Sequence, residues 1–194
     1  MRRKHNDQKE FEEKVSELLL KELLPERYGG LIKHESPDLI DPNTKIGVEI
    51  TNAATPDFRK EYSESRKDRD KNYRECGQFM PFGGAFWGNM IDLESAFCKK
   101  KKLLETNSSF SDYKIDLFIN ATFADESDID SFEEFLLSDE NGDLSSSFNW
   151  VMVRYEKTLA ILDCSKKIWK KISISQKLFQ DSRVKAKEEL GLVD

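Results

Sequence analysis

Two acids on either side of a turn carry the first chemical signal. Asp38 and Glu49 flank Asp41-Pro42-Asn43-Thr44-Lys45, a run of strong turn formers. Residues 31–41 and 46–53 read as the two strands that this turn joins. With the turn centred between Asn43 and Thr44, Asp38 falls opposite Glu49. Side chains alternate faces along a strand, so Asp38, Ile40, Gly47, Glu49 and Thr51 share one face, and Leu39, Ile46, Val48 and Ile50 share the other. The second face is apolar and belongs to a core. On the first, two like charges directly across from each other repel. A divalent cation relieves that repulsion, and hard carboxylate oxygens suit Mg²⁺ or Mn²⁺. Such an ion polarises a phosphoryl oxygen and acidifies a bound water. The plain alternative is a pair of solvated acids on an exposed strand face.

A hairpin cannot bury its apolar face alone. Residues 9–24 supply a helix, with Phe11, Val15, Leu18, Leu19 and Leu23 on one stripe, ended by Pro25 and Gly29-Gly30. A second helix is expected over 89–106, with Met90, Phe97 and Leu104 on one face. Strands follow at 114–120, 148–154, 157–163 and 168–174. Residues 125–148 hold nine acids and no base, read as an acidic surface helix at about 129–137 and a loop. The order implies an α/β fold, a central mixed β-sheet flanked by helices. No repeat or boundary divides the chain, so residues 1–194 read as one domain with an excursion at about 54–88. Within it, 58–75 carry 12 charges of mixed sign, the pattern of a solvated helix. Residues 77–88 set four glycines among Phe79, Phe82, Phe86 and Trp87. They lack the Gly-Lys-Ser/Thr of a phosphate loop.

Composition removes several function classes. The 194 residues carry 37 acids against 31 bases, a net charge of −6. That excludes a strongly basic nucleic-acid coat protein and leaves room for a local basic patch. Thirteen Phe, three Trp and five Tyr argue against disorder. No apolar run approaches the roughly 20 residues of a bilayer span. The basic start has no apolar region behind it, so a cytoplasmic protein without a signal peptide is expected. Three scattered cysteines and two histidines make neither a disulfide framework nor a His-rich metal site. His34 shares the parity of Asp38, but HESPD lacks the second histidine of a zinc protease. Asp139–Asp143 hints at a calcium loop and fails, because Leu137 stands where the first ligand belongs.

The segment Ser36-Pro37-Asp38 … Glu49-Ile50-Thr51 resembles the PD-(D/E)XK nuclease superfamily, the restriction-endonuclease-like enzymes. Pro37-Asp38 matches the first motif. Glu49 matches the acid of the second, and ten residues separate the two acids. The resemblance implies a core of helix, acid-bearing hairpin, second helix and further strands, from about residue 9 to 120. It also implies Mg²⁺-dependent hydrolysis of a phosphodiester, with Asp38, Glu49 and the Ile50 carbonyl as metal ligands. Thr51 departs from the motif, whose third position is usually lysine. Either the lysine has moved to another element or the site has lost catalysis. Lys99, Lys100, Lys101 and Lys102 lie on the following helix. Lys101 falls on the Met90–Phe97–Leu104 stripe and Lys100 lies beside it, where a buried ammonium needs a partner. The family often adds a glutamate from the first helix. Glu12, towards the edge of its stripe, is the candidate, with Glu17 on a more exposed face.

Phosphate contacts would come from the basic C-terminal region. Lys167, Trp169 and Lys171 share one parity, so a nucleic-acid backbone could follow the lysines while a base stacks on the indole. Three functions are therefore in play. The first is a Mg²⁺- or Mn²⁺-dependent nuclease acting on nucleic acid, DNA in the first instance, with a second copy or a partner protein supplying specificity. The second is a non-catalytic nucleic-acid-binding or regulatory protein on the same fold. The third is an unrelated interaction protein. A lysine ammonium within reach of both carboxylates separates the first from the second. Asp38 and Glu49 on opposite faces would mark the third.

Overall fold

The turn after Asp41 fixes the first sheet register. The Asp41 carboxylate accepts the backbone N–H groups of Asn43 (2.9 Å) and Thr44 (3.4 Å), and the Lys45 N–H returns to the Asp41 carbonyl at 3.0 Å. These bonds hold that carboxyl below its ordinary value. In the computed structural model, which describes residues 3–55 and 91–192, this turn joins β2 (Leu39–Asp41) to β3 (Ile46–Asn52). Leu39 pairs with Val48, Ile40 with Gly47 and Asp41 with Ile46, so Asp38 continues the ladder opposite Glu49. Gly47 is required here. A Cβ would lie 2.6 Å from Pro37 Cγ and 2.8 Å from Ile115 Cδ1.

The expected strand at 31–41 is instead two strands. β1 (Ile32–Lys33) folds back antiparallel on β2, with Ile32 facing Ile40 and Lys33 facing Leu39. Pro37 has no N–H for a ladder, and the connection closes through His34 N–H to the Asp38 carbonyl at 2.9 Å.

β4 (Lys114–Asn120) and β5 (Trp150–Tyr155) add in parallel to β3. β6 (Thr158–Asp163) and β7 (Ile168–Ser173) complete the sheet in antiparallel fashion. The seven strands lie in chain order. Two helices cross between the parallel strands, α3 (Leu93–Thr106) and α4 (Glu126–Leu137). They pack Ala96, Phe97, Ile129 and Phe132 onto Leu117, Ile119, Val151 and Val153. On the other face α1 (Arg3–Leu23) sets Val15, Leu18 and Leu19 against Val48, Ile50, Phe118 and Met152, with the short α2 (Pro25–Tyr28) after it.

The sheet edge is followed by a helix that the apolar pattern did not disclose, α5 (Gln176–Glu189). Ser175 caps it by accepting the Leu178 N–H at 3.1 Å. It packs beside α1 and changes that helix's surroundings. Glu17, expected on an exposed face, is buried and held between Lys14 (3.0 Å) and Lys21 (2.6 Å), while Lys14 also reaches Glu189 at 2.7 Å. The excursion leaves the end of β3 and returns where Ala54 bridges Ile91 and the Asp92 N–H meets the Ala53 carbonyl at 2.8 Å. The charged stretch 58–75, the Gly-aromatic stretch 77–88 and Met90 lie outside the described residues. Among the described residues no helix is long and apolar enough to cross a membrane.

Candidate active site

Asp38 and Glu49 are both buried, and they lie on one face. Lys100 on α3 makes that visible. Its ammonium bonds a Glu49 carboxylate oxygen and lies 3.9 Å from Asp38 Oδ2, with only 13% of the lysine side chain exposed. The crossover from β3 through α3 to β4 brings the lysine down onto the strand that carries Glu49. Leu93, Ala96 and Phe97 anchor the helix in the core, and Lys100, three residues past Phe97, emerges on the flank towards β3. Lys101 emerges on the other flank. It donates to the Asn141 carbonyl at 2.9 Å, beyond α4. A backbone carbonyl, rather than the acids, satisfies the Lys101 ammonium.

Asp38 is held from three sides. Its Oδ2 accepts the Ile50 N–H at 2.8 Å. Its Oδ1 faces Lys9 of α1 at 3.5 Å, and Lys9 also meets Glu13 at 2.9 Å. The register explains the Ile50 contact. The residue facing Ile50 is Pro37, which has no N–H to offer the Ile50 carbonyl. The Ile50 backbone therefore turns to the Asp38 carboxylate, and its carbonyl projects to the same side of β3.

Burial pushes the Glu49 carboxyl up. The Lys100 charge pulls it back, and the neighbouring Asp38 pushes it up again. Burial likewise raises Glu13, with Lys9 opposing and Asp38 adding to the rise. Among the described residues Asp38, Glu49 and Glu13 thus share one small region with Lys9 and Lys100, and the Lys33 charge also reaches Glu13. Among the described residues no three His, Cys, Asp or Glu side chains gather as a metal-holding group. The Asp38 and Glu49 carboxylates are the oxygens that meet at Lys100.

The other candidates lie elsewhere. Glu12 accepts from Asn52 Nδ2 at 3.2 Å, on the α1 side of β3. The α1 acid that reaches Asp38's neighbourhood is Glu13, one position and about 100° further round the helix. Its signal was its spacing of four from Lys9. His34 is exposed and accepts the Ser36 N–H. Trp169 and Lys171 sit on β7, four strands from β3, or about 19 Å, and Lys167 lies in the turn just before it. Trp169 packs against the core with its Nε1 buried, and Lys171 pairs with Glu126. The indole is not laid open for a base to stack on it.

Comparison with family models, with curated proteins and with solved structures finds no match.

Proposed function

We propose that this chain is a metal-dependent nuclease that hydrolyses nucleic-acid phosphodiesters, DNA in the first instance. One observation carries the reading: a lysine from a separate helix reaches both facing carboxylates, in a sequence whose motif position holds Thr51. A structural ion pair needs one acid. Here a second is set across from the first, at the cost of repulsion.

The donor set suits a hard cation. Asp38, Glu49 and the Ile50 carbonyl offer only oxygens, and together they would hold Mg²⁺ or Mn²⁺. When bound, the ion supplies Lewis-acid polarisation of a phosphoryl oxygen and a water of lowered pKa. The protein's own groups do the rest. The Ile50 N–H fixes the Asp38 carboxylate. Lys100 would offer its ammonium to the charge that grows on phosphate oxygens as the bond breaks. Lys9, largely exposed at the rim, is placed to meet the incoming backbone. The order α1, antiparallel strands, α3, parallel β4 agrees with the core that the resemblance implies.

The test is Mn²⁺ binding by calorimetry on the full chain and on Asp38→Ala, followed by a cleavage screen of single- and double-stranded DNA and RNA. Binding by the wild type that the variant lacks, together with Mn²⁺-dependent cleavage, is expected. Binding without cleavage of any substrate would favour a non-catalytic module on the same fold. A folded wild type that binds no metal, with or without substrate, would overturn the reading.

A further inference from the structure

A second polar cluster lies at the carboxyl ends of the three parallel strands, on the α1 side of the sheet. Asn52, Asn120 and Arg154 stand side by side on β3, β4 and β5. The carboxyl ends of parallel strands are where open α/β sheets receive ligands. Arg154 is 7% exposed, yet its hydrogen bonds go to neutral oxygens: Nε to Asn120 Oδ1 at 2.8 Å and one Nη to Thr122 Oγ1 at 2.7 Å. The other Nη has no acceptor among the described residues. The fork is held in place from behind. Asn120 Nδ2 donates to Ser16 Oγ at 3.2 Å, and Ser16 Oγ donates to the Glu12 carbonyl at 2.8 Å.

A second guanidinium comes close to the first. Phe179 of α5 lies 5.1 Å from Arg154 Cζ and 5.6 Å from Arg183 Cζ. Arg183 also lies 5.1 Å from the Phe11 ring, and among the described residues no carboxylate pairs with it. One ring thus separates two cations that repel each other. Glu12 is the acid whose field reaches Arg154, and it already accepts from Asn52. Among the described residues, one carboxylate stands against two guanidiniums there.

We propose that Arg154 and Arg183 form a phosphate-binding clamp that takes a backbone phosphate of the nucleic acid. A guanidinium fork matches two phosphate oxygens. Asn52, beside the clamp, lies three residues beyond Glu49 on β3 but on the opposite face, so a strand passing the acids would round the end of β3 to reach Arg154 and Arg183. The assignment of the phosphate to nucleic acid rests on the nuclease reading. The anion site itself does not.

The experiment measures binding without catalysis. A fluorescein-labelled oligonucleotide is titrated with the full chain in EDTA at several salt concentrations. Arg183→Gln is compared with Lys185→Gln, an exposed lysine two residues along the same helix. Arg183→Gln should weaken binding about tenfold and reduce the salt slope by about one, with an unchanged melting temperature. Lys185→Gln should do neither. Arg154→Gln should weaken binding further, and Arg154→Lys should restore part of it. If Arg154→Gln does not fold, Arg183→Gln decides alone. Equal affinity for wild type and Arg183→Gln, an equal loss in Lys185→Gln, or no binding by the wild type overturns the clamp. An effect of Arg183→Gln in a protein that never cleaves would keep the clamp and discard the nuclease. Cleavage with no effect of Arg183→Gln would do the reverse.

Discussion

Two buried acid–base clusters sit on opposite faces of the sheet. On the α1 side, Asp116 is fully buried and three neighbours donate to its carboxylate. Arg27 gives it three contacts of 2.9 to 3.1 Å, Tyr28 its hydroxyl at 2.8 Å and Trp150 its N–H at 3.1 Å. The Arg27 guanidinium lies 4.0 Å from the Trp150 ring, so even its flat face is occupied. On the α3 side, Lys100 is shared unequally between Glu49 and Asp38, and from α1 the solvent-exposed Lys9, paired with Glu13, also reaches Asp38. The first cluster pairs one acid with one guanidinium through five hydrogen bonds to the carboxylate, so it holds α2 onto the sheet. The second sets one lysine between two facing acids. Burial alone does not mark a functional site; unspent bonding capacity does.

The widest separation of the two clusters comes from removing one partner in each. Arg27→Met strands a buried carboxylate and should cost about 3–5 kcal/mol, read as a lower urea midpoint. Glu49→Gln removes one of two like charges. It should abolish Mn²⁺ binding and cleavage while moving stability by less than about 1 kcal/mol. Equal stability losses would mean that both clusters are structural.

Within the open cluster, the two neighbouring lysines should part company. Lys100→Met should lower turnover by about 10²-fold or more while sparing Mn²⁺ affinity, because it removes a cation and no ligand. Lys101→Met, which loses a bond to a carbonyl, should leave turnover unchanged. A loss of turnover in both would point to a shared effect through α3.

The smallest effect belongs to a third kind of acid, exposed yet strongly bonded. Asp163 ends β6, where Ser165, the Lys166 N–H and the Lys166 ammonium hold its carboxyl down to about 2 from an ordinary 3.8. A depressed pKa stabilises the fold above the ordinary value, and that contribution is lost as pH falls through about 2. Asp163→Asn should therefore lower the urea midpoint slightly at pH 6, and the difference from wild type should vanish near pH 2.

The register was legible because a chemically explicit turn sets it, and a turn of known centre assigns every residue of the hairpin to a face. The choice between Lys100 and Lys101 was not legible. Both flank Phe97, and only the packing of α3 between β3 and α4 decides which flank meets an acid. The helix α5 escaped detection because its inward face is made of Ser182 and Ala186, which carry little hydrophobic signal. Missing it misplaced Glu17, whose face α5 covers. Trp169 alternates with lysines and so looked open to solvent. Alternation fixes which residues share a face and says nothing of what lies against it. The Arg154 cluster went unread for a related reason. Its members come from five elements, and each alone looks like an ordinary polar residue.

The parallel pairing of β3 with β4 joins positions as far apart in the chain as Glu49 and Leu117. The hairpin that opposes Asp38 to Glu49, by contrast, closes over a handful of residues. Short-range structure forms before long-range structure when loop closure limits the rate. A chain that forms the hairpin first brings the two acids together in water, where their repulsion is weak, and the lysine docks only when the crossover helix settles and buries them. The ion pair at the centre of the molecule is thus a late contact. What stability it contributes shows in the rate of unfolding rather than in the rate of folding.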